Sequence, residues 1–262
     1  TVRSFRQAVG GRFVGLANFR LVLESQAFLL AVFNTLRFIL VCIPVLMAFS
    51  LCIAVMIQSC TGQALPADRR GNFYKTSILL PMAIPVASVV LLWKLLFYPQ
   101  GLLGQLAGLL GLAGQDWLNQ PSAFAILVVT YIWKNTGYDM MLWLAGLNAI
   151  PQELYEAARV DGANAWQMFK FIQIPAIMLM VDFVLFDNIR GALQVFDIPF
   201  VMTSGGPGYA SSTFTLYTIE TAFTYSNFGL ASTMAVAIMV MIVVIYVIQN
   251  KIIHGIVLKG DK

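Results

Sequence analysis

The sequence predicts an all-α, polytopic helical membrane protein, and three observations carry that reading. Apolar residues make up 59% of the 262 and charged residues only 11%, far from the balance of a soluble domain. Several apolar runs are long enough to cross a hydrocarbon core of about 30 Å as helices. Between them lie short polar stretches, and the Lys and Arg residues of those stretches fall on alternate ones.

Residues 1 to 27 carry Arg3, Arg6, Arg12 and Arg20 among aromatic residues, and VGLANFRLVL reads as a short amphipathic helix. No apolar core follows the arginines closely, so this is not a signal peptide, and the orientation argued below makes it an external N-terminal segment. The first span runs from residue 28 to about 58, interrupted only by Asn34, Arg37 and Pro44, with Arg37 near enough to its start to snorkel. A polar loop, 59–76, precedes the second span at 76–98. Pro81 and Pro85 predict that this helix is bent and that its freed carbonyls need partners from neighbours. Trp93 and Tyr98 suit an interface.

The glycine-rich stretch 101–121 is too short to span and reads as an interfacial helix under a loop, although Gly104 and Gly108 also have the spacing of a helix-dimerisation face. The third span, 122–147, holds Lys134, Asn135, Tyr138 and Asp139. The fourth runs from 176 to about 200, a glycine-rich loop follows, and the fifth occupies 227–249. Residues 28–250 thus form the membrane domain and 251–262 a tail.

Orientation follows from Lys and Arg in the loops. Residues 59–76 have three, 148–173 two and the tail three, whereas 99–121 and 201–226 have none. The first group is therefore cytoplasmic, and five spans put residue 1 outside. The four early arginines dissent, and the three concordant loops outweigh them.

The polar island at 148–175, NAIPQELYEAARVDGANAWQMFKFIQIP, must lie outside the hydrocarbon. Pro151 suits a helix start, which Glu153 and Glu156 complement. Gly162 offers a left-handed stop and Asn164 a cap for a second helix whose Trp166, Phe169 and Ile172 make one bulky face. Leu154, Ala157 and Ala158 share a face of the first helix, so another surface can come close. Pro175 restarts the chain as a span.

Other chemistry is sparse. Cys42, Cys52 and Cys60 lack metal-ligand spacing and read as small apolar residues, and His254 is the single histidine. There is no phosphate-binding G-x-x-x-x-G-K-[ST] loop, so any ATP that drives this protein is bound by another chain. A net charge of +4 without a dense basic tract gives no reason to invoke nucleic acid.

Glu156-Ala157-Ala158, Gly162 and then Ile172-x-Ile174-Pro175 resemble the EAA loop of permease subunits in binding-protein-dependent ABC importers, with Ile174 in place of the usual Leu. VGLANF at 14–19 and LQVFDIPFVMTSGGPG at 193–208 narrow the likeness to carbohydrate-uptake permeases of the MalF-like kind. The resemblance implies a loop that docks cytoplasmically into an ATPase subunit, a sixth span before residue 1 that would already have fixed orientation, and alternating access without covalent chemistry. The partners it implies are a second, MalG-like permease subunit, two ATPase subunits carrying ATP and Mg, an extracytoplasmic solute-binding protein and a sugar. No cofactor is expected on this chain. The coupling residues it marks are Glu156, Ala157, Ala158, Gly162, Ile172 and Pro175.

Asp182, Asp187, Arg190, Gln194 and Asp197 are unexpected in a span, and at 100° per residue all but Asp182 fall on one stripe. Two readings stand. The stripe lines a sugar path, with Asn135 and Tyr138 of the third span, or Asp187 and Arg190 form an internal pair that holds helices together. Lys134 and Asp139 serve as partners in either. Intramembrane acids also admit a proton-coupled secondary transporter, which would leave the EAA-like loop unexplained.

Overall fold

Residues 15–61, 69–109, 117–118 and 122–260 are described by a computed structural model, and among them there are helices and turns but no strands. In chain order the helices are α1 (Ala17–Glu24), α2 (Gln26–Thr61), α3 (Arg69–Ala83), α4 (Val86–Phe97), α5 (Leu102–Leu109) and α6 (Ala123–Asn148). Then come α7 (Gln152–Val160), α8 (Ala165–Ala176, with a π turn at Phe169–Gln173), α9 (Met178–Leu193) and α10 (Asp197–Thr203). The last two are α11 (Phe214–Ile219, extended by a π turn at Glu220–Thr224) and α12 (Phe228–Gly260). Arg3, Arg6, Arg12 and most of 110–121 lie outside the described residues.

By length and apolarity, Gln26–Ser59, Val86–Leu106 and Phe228–Ile253 can each cross a membrane, and Ala165–Ala176 with Met178–Leu193 makes a further candidate bent by 69°. Helix α6, at 26 residues, reaches about 39 Å but carries the polar set around Lys134. The glycine-rich stretch does form a short helix, α5. Its Gly104 is required locally: a Cβ there would sit 2.4 Å from the carbonyl oxygen of Pro99.

The chain divides into two compact units, residues 1–41, 86–130 and 189–247, and residues 42–85, 131–188 and 248–262. In the first, Phe28 packs edge-on against Phe214 at 5.2 Å between centroids, within a cluster that includes Val22 and Met234. Asn34 donates to the carbonyls of Tyr209 (2.8 Å) and Ser212 (3.1 Å), and the Thr35 hydroxyl accepts from the Phe214 amide. These bonds fasten the glycine-proline loop to α2. Arg37 does not extend to water alone, since its guanidinium lies 4.3 Å from the Phe124 ring centroid.

The second unit is built on α6. Met140, Trp143, Leu144 and Leu147 pack with Ala54 and Ile57 of α2, Tyr155 of α7, and Ile177 and Val184. Polar bonds tie the same helices: Trp143 donates to the Ser50 hydroxyl (2.9 Å), and Gln58 donates to the Leu147 carbonyl (3.3 Å).

Two expected spans are broken. The second is interrupted at Ile84 and Pro85, so α3 ends at Ala83 and starts as early as Arg69. The fourth bends by 69° near Ile177, and α9 stops at Leu193 before α10 begins at Asp197. The physical reason for the second break lies in Pro199, which has no N–H to offer the Val195 carbonyl four residues back. The Thr213 hydroxyl donates to that carbonyl at 2.8 Å, and Thr215 donates to Leu193 at 3.0 Å.

Candidate functional site

Helices α7 and α8 form the hairpin expected of the polar island. Pro151 is the residue before the first helical turn, with Glu153 in that turn and Arg159 in the last, both complementing the helix dipole. Gly162 then adopts φ +76°, and the amides of Asp161, Gly162 and Ala163 close on the carbonyls of Ala157, Arg159 and Ala158. Asn164 caps α8 reciprocally: its side chain accepts from the Gln167 amide, and the Gln167 side chain accepts from the Asn164 amide.

What the hairpin presents is apolar and open. Ala158, Gly162, Ala163, Met168, Phe171 and Ile172 line a groove of about 340 Å³, joined by Asp161 and Gln167. Leu154 is 49% exposed, Val160 88%, Trp166 67% and Phe171 67%, a density of bare apolar surface that a polar loop does not ordinarily leave. Glu156 is exposed on α7 and accepts a hydrogen bond from Gln152 at 2.9 Å. Tyr155 faces the other way, into the core. Pro175 does not restart a span: it lies in the last turn of α8, ahead of the bend.

Sequence reasoning missed the fastening of this hairpin. Gln173, buried in the π turn of α8, donates to Gln58 (3.3 Å), which itself donates to the end of α6. The signal was a pair of glutamines at the same ends of two predicted spans, which spacing alone cannot join.

The candidate path residues are placed as follows. Asn135 and Tyr138 lie one turn apart on α6, both half-buried, and the Asn135 amide donates to its own helix at Tyr131. Asp187 and Arg190 lie one turn apart on α9. Gln194 continues their register, because its amide still bonds to the Arg190 carbonyl at 3.2 Å. Arg190 and Gln194 are exposed and Asp187 is half-buried. Asp197 does not extend the stripe, since the break at 194–196 intervenes and it sits in the first turn of α10.

The acids around the stripe have other partners. Asp139 is 2% exposed and accepts at 2.7 Å from Asn188, a residue that sequence reasoning missed. Asp182 accepts from Gln249 at 2.6 Å. Lys134, 8% exposed, donates to the carbonyls of Pro81, Met82 and Ile84. Among the described residues no three His, Cys, Asp or Glu side chains converge as a metal site.

The chain is similar to known proteins over most of its length. The trehalose/maltose transport system permease protein MalF of Thermococcus litoralis is 33% identical over 245 residues, covering 92% of this chain and 79% of that protein. The sulfoquinovosyl glycerol transport system permease protein SmoG of Agrobacterium fabrum is 30% identical over 253 residues, covering 96% and 80%. A solved bacterial ABC transporter involved in the import of the acidic polysaccharide alginate shares the fold, with a TM-score of 0.81 at 23% identity over 97% of this chain and 91% of that one. The family described as binding-protein-dependent transport system inner membrane component matches residues 59–256, hairpin and stripe included, and the chain belongs to that family.

Proposed function

We propose that this chain is one of two permease subunits in an ATP-driven importer and passes a sugar or sugar derivative inward by alternating access. The observation that carries this is the α7–α8 hairpin, an exposed apolar groove whose turn is set by Gly162 at φ +76° and whose second helix starts with a reciprocal Asn164–Gln167 cap. On this reading α7 enters a cleft of an ATPase subunit. Ala157, Ala158 and Ile172 allow close approach, Glu156 makes a polar contact at the rim, and Pro175 ends the hairpin.

Two such ATPase subunits hold the ATP and Mg. A MalG-like chain completes the path, and an extracytoplasmic binding protein delivers the sugar. The loops 59–76 and 148–173 and the tail 251–262 face the cytoplasm, and residues 1–27 the outside. Relatives named for trehalose/maltose and for sulfoquinovosyl glycerol support the substrate class. Asn135, Tyr138, Asp187, Arg190 and Gln194 line the sugar path, where carboxylate, guanidinium, phenol and amide groups can bond several hydroxyls.

The test is reconstitution of the chain with its partners and measurement of ATP hydrolysis and of maltose, trehalose and sulfoquinovosyl glycerol uptake together. Gly162→Pro is expected to leave the complex assembled and to uncouple uptake from hydrolysis. Uptake equal to the parent would remove the hairpin from the coupling path.

A further inference from the structure

Lys134 occupies a position that the transport reading does not use. It is 8% exposed on α6, a helix of apolar context, and its ammonium donates to three backbone carbonyls, Pro81 (3.3 Å), Met82 (3.4 Å) and Ile84 (2.9 Å). Those carbonyls belong to the broken second span. In an unbroken helix the Pro81 oxygen would accept from the amide of residue 85, but residue 85 is proline and has no N–H. Met82 lies in the last turn of α3 and Ile84 in the break itself, where further carbonyls lose helical partners. A carbonyl without a donor in hydrocarbon is costly, and the Lys134 ammonium lowers that cost by donating to these three.

A second observation on the same helix face supports this. Gly137 lies one turn beyond Lys134, and a Cβ there would meet the Ile78 carbonyl oxygen at 2.4 Å and the Leu79 Cα at 2.8 Å. The two backbones therefore touch one turn away from the ammonium. At that depth the Lys134 side chain reaches three carbonyls.

We propose that Lys134 is a positioning residue for transport: it replaces the amide hydrogens missing at the Pro81–Pro85 break, holds the end of α3 open, and keeps it fixed against α6 at the depth Gly137 sets. The proposal rests on the permease reading. Lys134 is a clamp on the backbone and does not contact sugar.

Three complexes decide it: the parent, Lys134→Met, and Lys134→Met combined with Pro85→Ala, which returns an N–H to the Pro81 carbonyl. The probe is whichever of maltose, trehalose or sulfoquinovosyl glycerol the parent takes up. Lys134→Met is expected to lower maximal uptake at least about tenfold with the half-saturating sugar concentration unchanged, and to lower the Tm of the purified complex. Adding Pro85→Ala is expected to recover most of the Tm and part of the uptake. Parent-like behaviour of Lys134→Met, a raised half-saturation concentration, or no relief from Pro85→Ala would each overturn the clamp. If Lys134→Met does not assemble, the amount of complex recovered replaces uptake: restoration by Pro85→Ala supports the clamp, and its absence overturns it. A parent complex without ATP-dependent uptake would instead overturn the permease reading, and the Tm comparison would still judge the clamp.

Discussion

Two glycines separate what a residue reveals about itself from what its neighbours impose. Gly162 has φ +76° and open space where a Cβ would be, so Gly162→Ala costs conformational strain alone, about 1 to 2 kcal/mol. The expected result is a complex in normal amount with reduced uptake, checked by quantifying assembled complex beside transport. Gly137→Ala should do the reverse, because its Cβ meets the backbone of α3 and the helices must part. Less complex is expected, with a lower Tm. Gly162 was legible in the sequence, since a left-handed stop ahead of an Asn cap is local grammar. Gly137 was not: its constraint comes from Ile78, on another helix. The same holds for Asn188, whose amide holds the buried Asp139. Asn188→Ala leaves that carboxylate without the bond and is expected to destabilise by about 1 to 3 kcal/mol or more, whereas Asn188→Ala with Asp139→Ala should recover much of the loss. Denaturation midpoints of the three variants read this out.

The helices were predictable as elements because long apolar runs between polar loops have no other solution in a bilayer. Their breaks were less so. Pro81 and Pro85 announced the first, together with the need for outside donors, and Lys134 supplies them. Pro199 frees the Val195 carbonyl by the same logic, but the apolar run that continues to about residue 200 hides the break and lets a helical stripe be drawn across it. The donors are hydroxyls far along the chain, Thr213 at the start of α11 and Thr215 within it, and a hydroxyl carries no sequence signal of that use. Thr213→Val keeps the shape and removes the donor to Val195. An expected loss of about 1 to 3 kcal/mol follows from the unsatisfied carbonyl, and Pro199→Ala should relieve it. A Tm for Thr213→Val equal to the parent would remove the hydroxyl from the account of the break.

At the scale of the whole molecule, the intramembrane charges suggested both a sugar path and a proton relay. The structure gives several of them fixed partners, Asp139 with Asn188, Asp182 with Gln249, and Lys134 with backbone. Arg190, in the last turn of α9, and Gln194, just beyond it, are exposed. If they contact sugar, Gln194→Ala should raise the half-saturating sugar concentration without reducing assembled complex. The central claim is that ATP bound elsewhere moves this chain through the α7–α8 hairpin. It is tested most directly by sugar uptake into proteoliposomes holding the full complex, with ATP and a transmembrane proton gradient supplied separately. The account predicts uptake that requires ATP and the binding protein and is indifferent to the gradient. Uptake driven by the gradient without ATP would contradict it.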